Sequence, residues 1–143
     1  MSINHTVVIG AGPVGLTAAA HLVQRRMPFT ILEAGDRVGA SMRRWGHVRL
    51  FSPWALDIDP LAAALLRERG WQHPDPAEHP TGAEIVERYL EPLAAHPAIA
   101  AHLRLGAAVS AITRQGRSRL DSTDRADAAF VVRYVQDLSL IHI

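Results

Sequence analysis

Residues 6–22 read TVVIGAGPVGLTAAAHL and contain, in order, a β-branched run, three glycines and a series of small residues. The run TVVI is typical of a strand that ends at a turn. The spacing of Gly10, Gly12 and Gly15 is that of the turn between the first strand and the first helix of a dinucleotide-binding fold. The segment therefore predicts a strand, a tight turn and a helix in direct succession.

Each of these glycines has a separate task in such a turn. Gly10 allows the chain to turn tightly, Gly12 lets the backbone approach a pyrophosphate, and Gly15 lets the helix pack close to the strand. The helix is expected to run from Pro13 to about Arg26, with its first amides facing the anion. We therefore expect the turn, including Pro13, to bind a dinucleotide cofactor.

A second predicted strand, FTILE, ends in Glu33. In a dinucleotide-binding fold an acid about 20 residues after the turn contacts the ribose hydroxyls. Such an acid repels a 2′-phosphate, so the site favours FAD or NAD over NADP. A turn that merely packs, with no nucleotide, is the alternative, and the succession of strand, turn, helix, strand and acid argues against it.

The composition is that of an α/β protein inside the cell, and we expect a cytoplasmic location. Hydrophobic residues make up 48% of the chain, charged residues 20%, and the formal net charge is +1. The 15 basic residues are all arginine and are scattered, so no nucleic-acid partner is expected. The absence of cysteine excludes a disulfide framework and a redox dithiol from this chain. The apolar N-terminal run lacks a basic flank, so no signal peptide or membrane contact is expected.

His47 and Arg49, in WGHVRLFSPW, have the side chains best suited to acid–base chemistry or anion binding. The alternation in HVRLF, however, is more typical of a strand or an extended segment with polar residues on one side. We therefore assign no catalytic residue. The remaining histidines lack metal-ligand spacing, and no metal site is expected.

Residues 45–96 are predicted to form a helical excursion whose first part is rich in proline. Asp59 is a suitable N-cap for a single helix before Pro80. Thr81 and Glu84 form a capping box that starts a second helix, expected to continue to about residue 95. The apolar residues expected on its buried face are Ile85, Val86, Tyr89, Leu90 and Leu93.

The last third of the chain is predicted to be β structure. A short strand is expected at residues 103–105, followed by AAVSAITR and AAFVVRYV with a polar link between them. These two runs predict an antiparallel hairpin or meander.

The chain resembles the FAD-dependent oxidoreductases with two dinucleotide-binding folds, especially the flavin-containing monooxygenase-like group. The resemblance rests on GAGPVGL, on ILEAGDRVGASMRRWG and on the helix–strand order after Thr81. The second glycine of that group's glycine pair is Ala40 here, which bears on the subgroup more than on FAD. The implied fold class is α/β, an incomplete Rossmann-like FAD-binding domain with a β-meander.

The resemblance also implies site residues and a reaction. Arg43, Arg44 and Trp45 would lie along the pyrophosphate and flavin of FAD, and the backbone of Val109 would contact the adenine. In the full-length parent, NAD(P)H would reduce the flavin, and oxygen would then be used on a small-molecule substrate.

Residues 1–137 are expected to be the N-terminal part of the FAD-binding domain, and this piece alone is expected to be inactive. An aromatic-ring hydroxylase, which begins with a similar turn, remains an alternative for the parent. A stand-alone nucleotide-binding module and an inactive nucleotide-binding fragment remain alternatives for the chain. Disulfide reductases of similar architecture carry a cysteine pair that this sequence lacks.

The tail LSLIHI, residues 138–143, is expected to be non-native. The DNA string CTG TCT CTT ATA CAC ATC encodes these residues and matches the transposase mosaic end used in sequencing libraries. Such scars have to be excluded from fold reasoning.

Overall fold

The structure, a computed structural model, describes residues 5–121, 123–136 and 139–142. The strands are β1 (Thr6–Ile9), β2 (Phe29–Leu32), β3 (Leu103–Arg104), β4 (Ala107–Arg114), β5 (Phe130–Gln136) and β6 (Ser139–His142). The helices are α1 (Pro13–Gln24), α2 (Ala40–Arg43), α3 (Trp54–Asp57), α4 (Pro60–Arg67), α5 (Gly82–Ile85), α6 (Glu91–Ala95) and α7 (Pro97–Ala100). A π-helical segment, Val86–Leu90, joins α5 to α6.

Two sheets are formed. In the first, β2 lies between β1 and β3 and is parallel to both. In the second, β5 lies between β4 and β6 and is antiparallel to both. The predicted α/β class and the hairpin are therefore confirmed. Residues 138 and 143 of the suspected tail lie outside the described residues, whereas the four between them form β6.

The parallel sheet separates two cores because successive side chains of a strand point to opposite faces. Val8 and Ile31 pack into the larger core, which the helices fill. Val7 and Leu32 pack into a smaller core with residues of β4 and β5, among them the fully buried Tyr134. The fold thus has three layers: helices, the parallel sheet and the antiparallel sheet. Within the described ranges, no helix combines the length and apolar character needed to cross a membrane.

The helical excursion departs from the prediction at its beginning. The single predicted helix before Pro80 is accompanied by a second, short one, α3. His47 and Val48 lie in a turn and a bend, so HVRLF is not a strand, and only Arg49 forms an isolated bridge, with Thr81. The Arg49 guanidinium donates to the carbonyl of His79, which gives this side chain a structural partner.

Asp59 begins α4 as predicted and also connects it to α1. Its carboxylate Oδ1 accepts hydrogen bonds from the amides of Leu61 and Ala62, each at 2.9 Å. The ring Nε2 of His21, on α1, lies 3.2 Å from Asp59 Oδ2. One side chain therefore caps a helix and fixes its position against the helix that follows the glycine turn.

The predicted capping box is present at the start of α5. Thr81 Oγ1 accepts from the amide of Glu84 at 3.2 Å, and the Glu84 carboxylate accepts from the amide of Thr81 at 2.7 Å. All five residues predicted for the buried face of this helical run are buried.

A proline and a tryptophan explain the irregularity of the same helical run. Pro92 has no N–H, so it cannot donate to the carbonyl of Arg88, which precedes it by one helical turn. The indole N–H of Trp71 donates to that carbonyl instead, at 2.8 Å. The π-helical segment ends just before this proline, where a local change of helical pitch is expected.

Asp59 makes folding sensitive to acid. Burial raises the pKa of its carboxyl, but the hydrogen bonds from Ala62, His21 and Leu61 together lower the pKa by more than burial raises it. The pKa therefore lies below its ordinary value. A carboxyl whose pKa is lowered by folding stabilises the fold above its unfolded-state pKa, about 4. That stabilisation is lost as the pH falls through the folded-state pKa.

We expect the free energy of unfolding of Asp59→Asn to fall less steeply with decreasing pH than that of the unaltered chain. Asparagine caps a helix about as well as aspartate but does not titrate. The measurement is the free energy of unfolding in urea at several pH values between about 7 and 3. Asp127→Asn, at an exposed position, is the matched control. Equal acid slopes for Asp59→Asn and the unaltered chain would contradict the prediction.

Candidate functional site

The first glycine turn follows β1 and has the conformation that its glycines predict. Gly10 has a φ of +95°, in the region that L side chains rarely adopt, and its amide donates to the carbonyl of Leu32 at 2.8 Å. A Cβ built on Gly15 would lie 1.9 Å from the carbonyl oxygen of Gly10, so only glycine lets α1 pack this close to the turn. Glycine at both positions therefore stabilises the turn within the chain itself.

Gly12 is different, because the chain itself leaves the space beside it open. A Cβ built there meets no atom within 4 Å, and the φ of −89° is one that any residue adopts. Gly12 is the N-cap of α1 and Pro13 is the first helical residue. Among the described residues, no side chain caps this end of the helix, so its first amides remain available to an anion.

A second glycine turn, residues 35–39, packs against the first. The amide of Gly39, which has a φ of +65°, donates to the carbonyl of Ala11 at 3.1 Å. A Cβ on Gly39 would lie 2.8 Å from Cγ2 of Val86, and a Cβ on Gly35 would lie 2.7 Å from the Cβ of Ala40. The second turn is thus packed against Ala40 and the π-helical segment without room for a side chain at residue 35 or 39.

Glu33 lies between the two turns. Its Oε2 accepts from the amide of Ala11 at 2.6 Å, and its Oε1 accepts from the amide of Gly35 at 2.7 Å. The sequence predicted an acid directed at a ribose, and the structure shows a carboxylate that is bonded to the backbone of both turns. Ala11 and Gly35 were not predicted, because a backbone N–H leaves no signal in the residue type.

The structure places Arg43 beside Glu91 and Trp45 beside α5. The Arg43 guanidinium pairs with the Glu91 carboxylate and donates from Nε to the carbonyl of Val38 at 3.3 Å. The Trp45 ring lies against Gly82, where an added Cβ would be 2.7 Å from the ring. Arg44 is exposed and makes no side-chain hydrogen bond or ion pair within the part of the chain that the structure describes.

Val109 lies in the antiparallel layer, on β4 opposite Tyr134 and next to a register shift. Its side chain packs against the smaller core. Two hydrogen bonds at the start of β4 connect this layer to the glycine turns: the amide of Gly106 donates to the carbonyl of Gly35 at 2.9 Å, and the amide of Ala107 donates to the carbonyl of Glu33 at 2.8 Å. The structure therefore brings together the first turn, Glu33 and the start of α2, with Val109 in the adjoining layer.

Two other features do not coincide with this cluster. In the described ranges, no group of three or more acidic or histidine side chains could hold a metal ion. An open groove of ≈ 370 Å³ lies between the end of α4 and α6 and contains none of the predicted site residues. Because the glycine turns offer backbone donors and the groove lies away from them, the turns are the stronger candidate site.

Comparison with known proteins identifies the class to which this fold belongs. Residues 7–128 match the family described as pyridine nucleotide-disulphide oxidoreductase. The chain belongs to this family, although it has no cysteine with which to form the redox disulfide of the family's description.

Monooxygenases are among the individual relatives. The chain is 33% identical over 133 residues to the indole-3-pyruvate monooxygenase YUCCA1 of Oryza sativa subsp. japonica. The aligned region covers 88% of this chain and 30% of the rice protein. A steroid monooxygenase bound to NADP has a similar fold, with a TM-score of 0.66 and 21% identity over 97% of this chain. OTEMO, in a complex with FAD and NADP, superposes with a TM-score of 0.61 and 21% identity over 99% of this chain. The chain spans less than a third of the rice protein, and 25% and 24% of these two structures.

The glycines of the first turn should respond differently to the same substitution. Gly15→Ala places a Cβ against a backbone carbonyl and is expected to destabilise the cofactor-free chain by roughly 1–3 kcal/mol, the range for overpacking. Gly12→Ala, which enters open space, is expected to change stability by less than about 0.5 kcal/mol. Urea unfolding measures both. Equal effects of the two substitutions would contradict this description of the turn.

Proposed function

We propose that this chain is the FAD-binding N-terminal portion of a flavin-dependent NAD(P)H oxidoreductase of the monooxygenase type. The observation that carries the proposal is the open space at Gly12, beside an uncapped helix end. Backbone amides facing an unfilled volume are suited to a pyrophosphate. The membership of the family and the monooxygenase relatives support the same reading.

The residues present fit FAD. A pyrophosphate would lie against Gly10, Gly12, Pro13 and Gly15, with the volume beside Gly12 open to receive it. Glu33 stands at the end of β2, and each carboxylate oxygen retains a second lone pair for a ribose hydroxyl.

The remaining contacts are part of the proposal. Arg43, Arg44 and Trp45 follow the second turn and would lie along the pyrophosphate and flavin, while the backbone of Val109 would contact the adenine. Unlike the Arg43 guanidinium, which pairs with Glu91, the exposed Arg44 guanidinium makes no hydrogen bond or ion pair in the described part of the chain.

FAD, when bound, supplies the redox chemistry, and the protein supplies binding, orientation and exclusion of water. In this chain, the turn amides would bind the anion, and the carboxylate of Glu33 would orient the ribose. The reductant NAD(P)H, a small-molecule substrate and a cytoplasmic location are proposed for the whole protein. The relatives support a monooxygenase of this type over an aromatic-ring hydroxylase.

Gly12→Val tests the cofactor site. In the full-length protein, the valine side chain would occupy the volume of the pyrophosphate, so we expect most of the bound flavin to be lost while the protein still folds. Flavin absorbance after gel filtration measures retention, and extraction of the released cofactor identifies it as FAD or NAD. A folded Gly12→Val protein with unchanged flavin absorbance would refute the proposed site.

We propose further that residues 1–137 are native and that residues 138–143 are not. The support is the match between LSLIHI and the translated transposase end. Resequencing the source locus tests this directly. Different codons after Asp137 are the expected result, and native DNA that encodes LSLIHI would overturn the proposal.

A further inference from the structure

Each carboxylate oxygen of Glu33 accepts a backbone N–H from a different glycine turn. The distances are 2.6 Å from Ala11 to Oε2 and 2.7 Å from Gly35 to Oε1. Hydrogen bonds in which the acceptor is ionised are shorter and stronger than neutral ones. The carboxylate therefore connects the two turns directly.

The Ala11 peptide depends on this contact. Ala11 is fully buried, and its carbonyl accepts from the amide of Gly39 at 3.1 Å. Its own N–H has the carboxylate of Glu33 as its partner. A buried N–H that loses its acceptor is costly, so the carboxylate determines how the peptide group between Gly10 and Ala11 is oriented.

The backbone of Glu33 is itself fixed. Its amide donates to the carbonyl of Arg104 at 2.9 Å, and its carbonyl accepts from the amide of Ala107 at 2.8 Å. These bonds attach residue 33 to β3 and to the start of β4. The side chain therefore reaches both turns from a point that the two sheets hold in place.

We propose that Glu33 is a positioning residue, whose carboxylate holds the first glycine turn in its binding conformation before any cofactor arrives. A ribose hydroxyl can be accepted in addition, on the remaining lone pairs. The inference deepens the proposed FAD site and rests on it only for the identity of the ligand. The contacts that carry it belong to the chain alone.

Amide hydrogen exchange of the cofactor-free chain tests this role. In the unaltered chain, we expect the amides of Ala11 and Gly35 to be protected. Glu33→Gln preserves the shape of the side chain but replaces one acceptor oxygen by a donor NH₂. We expect exchange at one or both amides to become faster by roughly tenfold or more, and the unfolding midpoint to fall by roughly 3–8 °C.

Glu87→Gln is the matched control, because Glu87 is exposed and makes no side-chain hydrogen bond in the described part of the chain. It should alter neither the exchange at the two amides nor the unfolding midpoint. Glu33→Gln should differ from it in both.

Two outcomes would overturn the positioning role. One is unprotected exchange at both amides in the unaltered chain, a measurement that stands even if Glu33→Gln does not fold. The other is unchanged exchange in Glu33→Gln with weaker flavin binding only, which would assign Glu33 to the ribose alone. If the unaltered full-length protein binds no FAD while Glu33→Gln still accelerates exchange, the proposed cofactor is wrong and the positioning role is supported.

Discussion

Ala11 is held through both of the peptide groups that flank it: its N–H donates to the carboxylate of Glu33, and its carbonyl accepts from the amide of Gly39. The rest of the candidate site depends on this arrangement. A turn that leaves backbone amides free for a ligand has few bonds of its own, so its shape must come from neighbouring segments. Here, the acid after β2 and the second glycine turn provide that shape.

The helical excursion supports the second glycine turn by packing against it. Val86 lies so close to Gly39 that a Cβ at residue 39 would be 2.8 Å from it. Val86 begins the π-helical segment, which ends just before Pro92. Trp71 supplies the hydrogen bond to Arg88 that the proline cannot make. Residues far from the glycine turn in sequence therefore belong to its scaffold.

Much of this fold could be predicted because its signals are local. Caps at Asp59 and Thr81, and the glycine turn after β1, each act within a few residues, and each is present as predicted. The hairpin of β4 and β5 was predicted from its two β-branched runs. The fold class followed from the order of these elements.

Features that depend on contacts between distant residues could not be predicted. Nothing local relates Trp71 to the carbonyl of Arg88, or Glu33 to the amide of Ala11. The alternation in HVRLF indicated a strand or an extended segment, but residues 46–50, which are hydrogen-bonded to residues 80–83, form a turn with an isolated bridge. A tertiary contact decided the conformation in each case.

The three glycines of the first turn differ in role: two serve the fold of the chain, and one serves the proposed ligand. Gly10 is required by its positive φ, and Gly15 by the carbonyl that lies 1.9 Å from where its Cβ would be, so both serve the fold. Gly12 has an ordinary φ and open space, so the chain gains nothing in its own packing from a glycine there. Glycine still increases the entropy lost on folding. The proposed pyrophosphate explains the glycine, because the pyrophosphate would occupy the volume that any side chain at position 12 would fill.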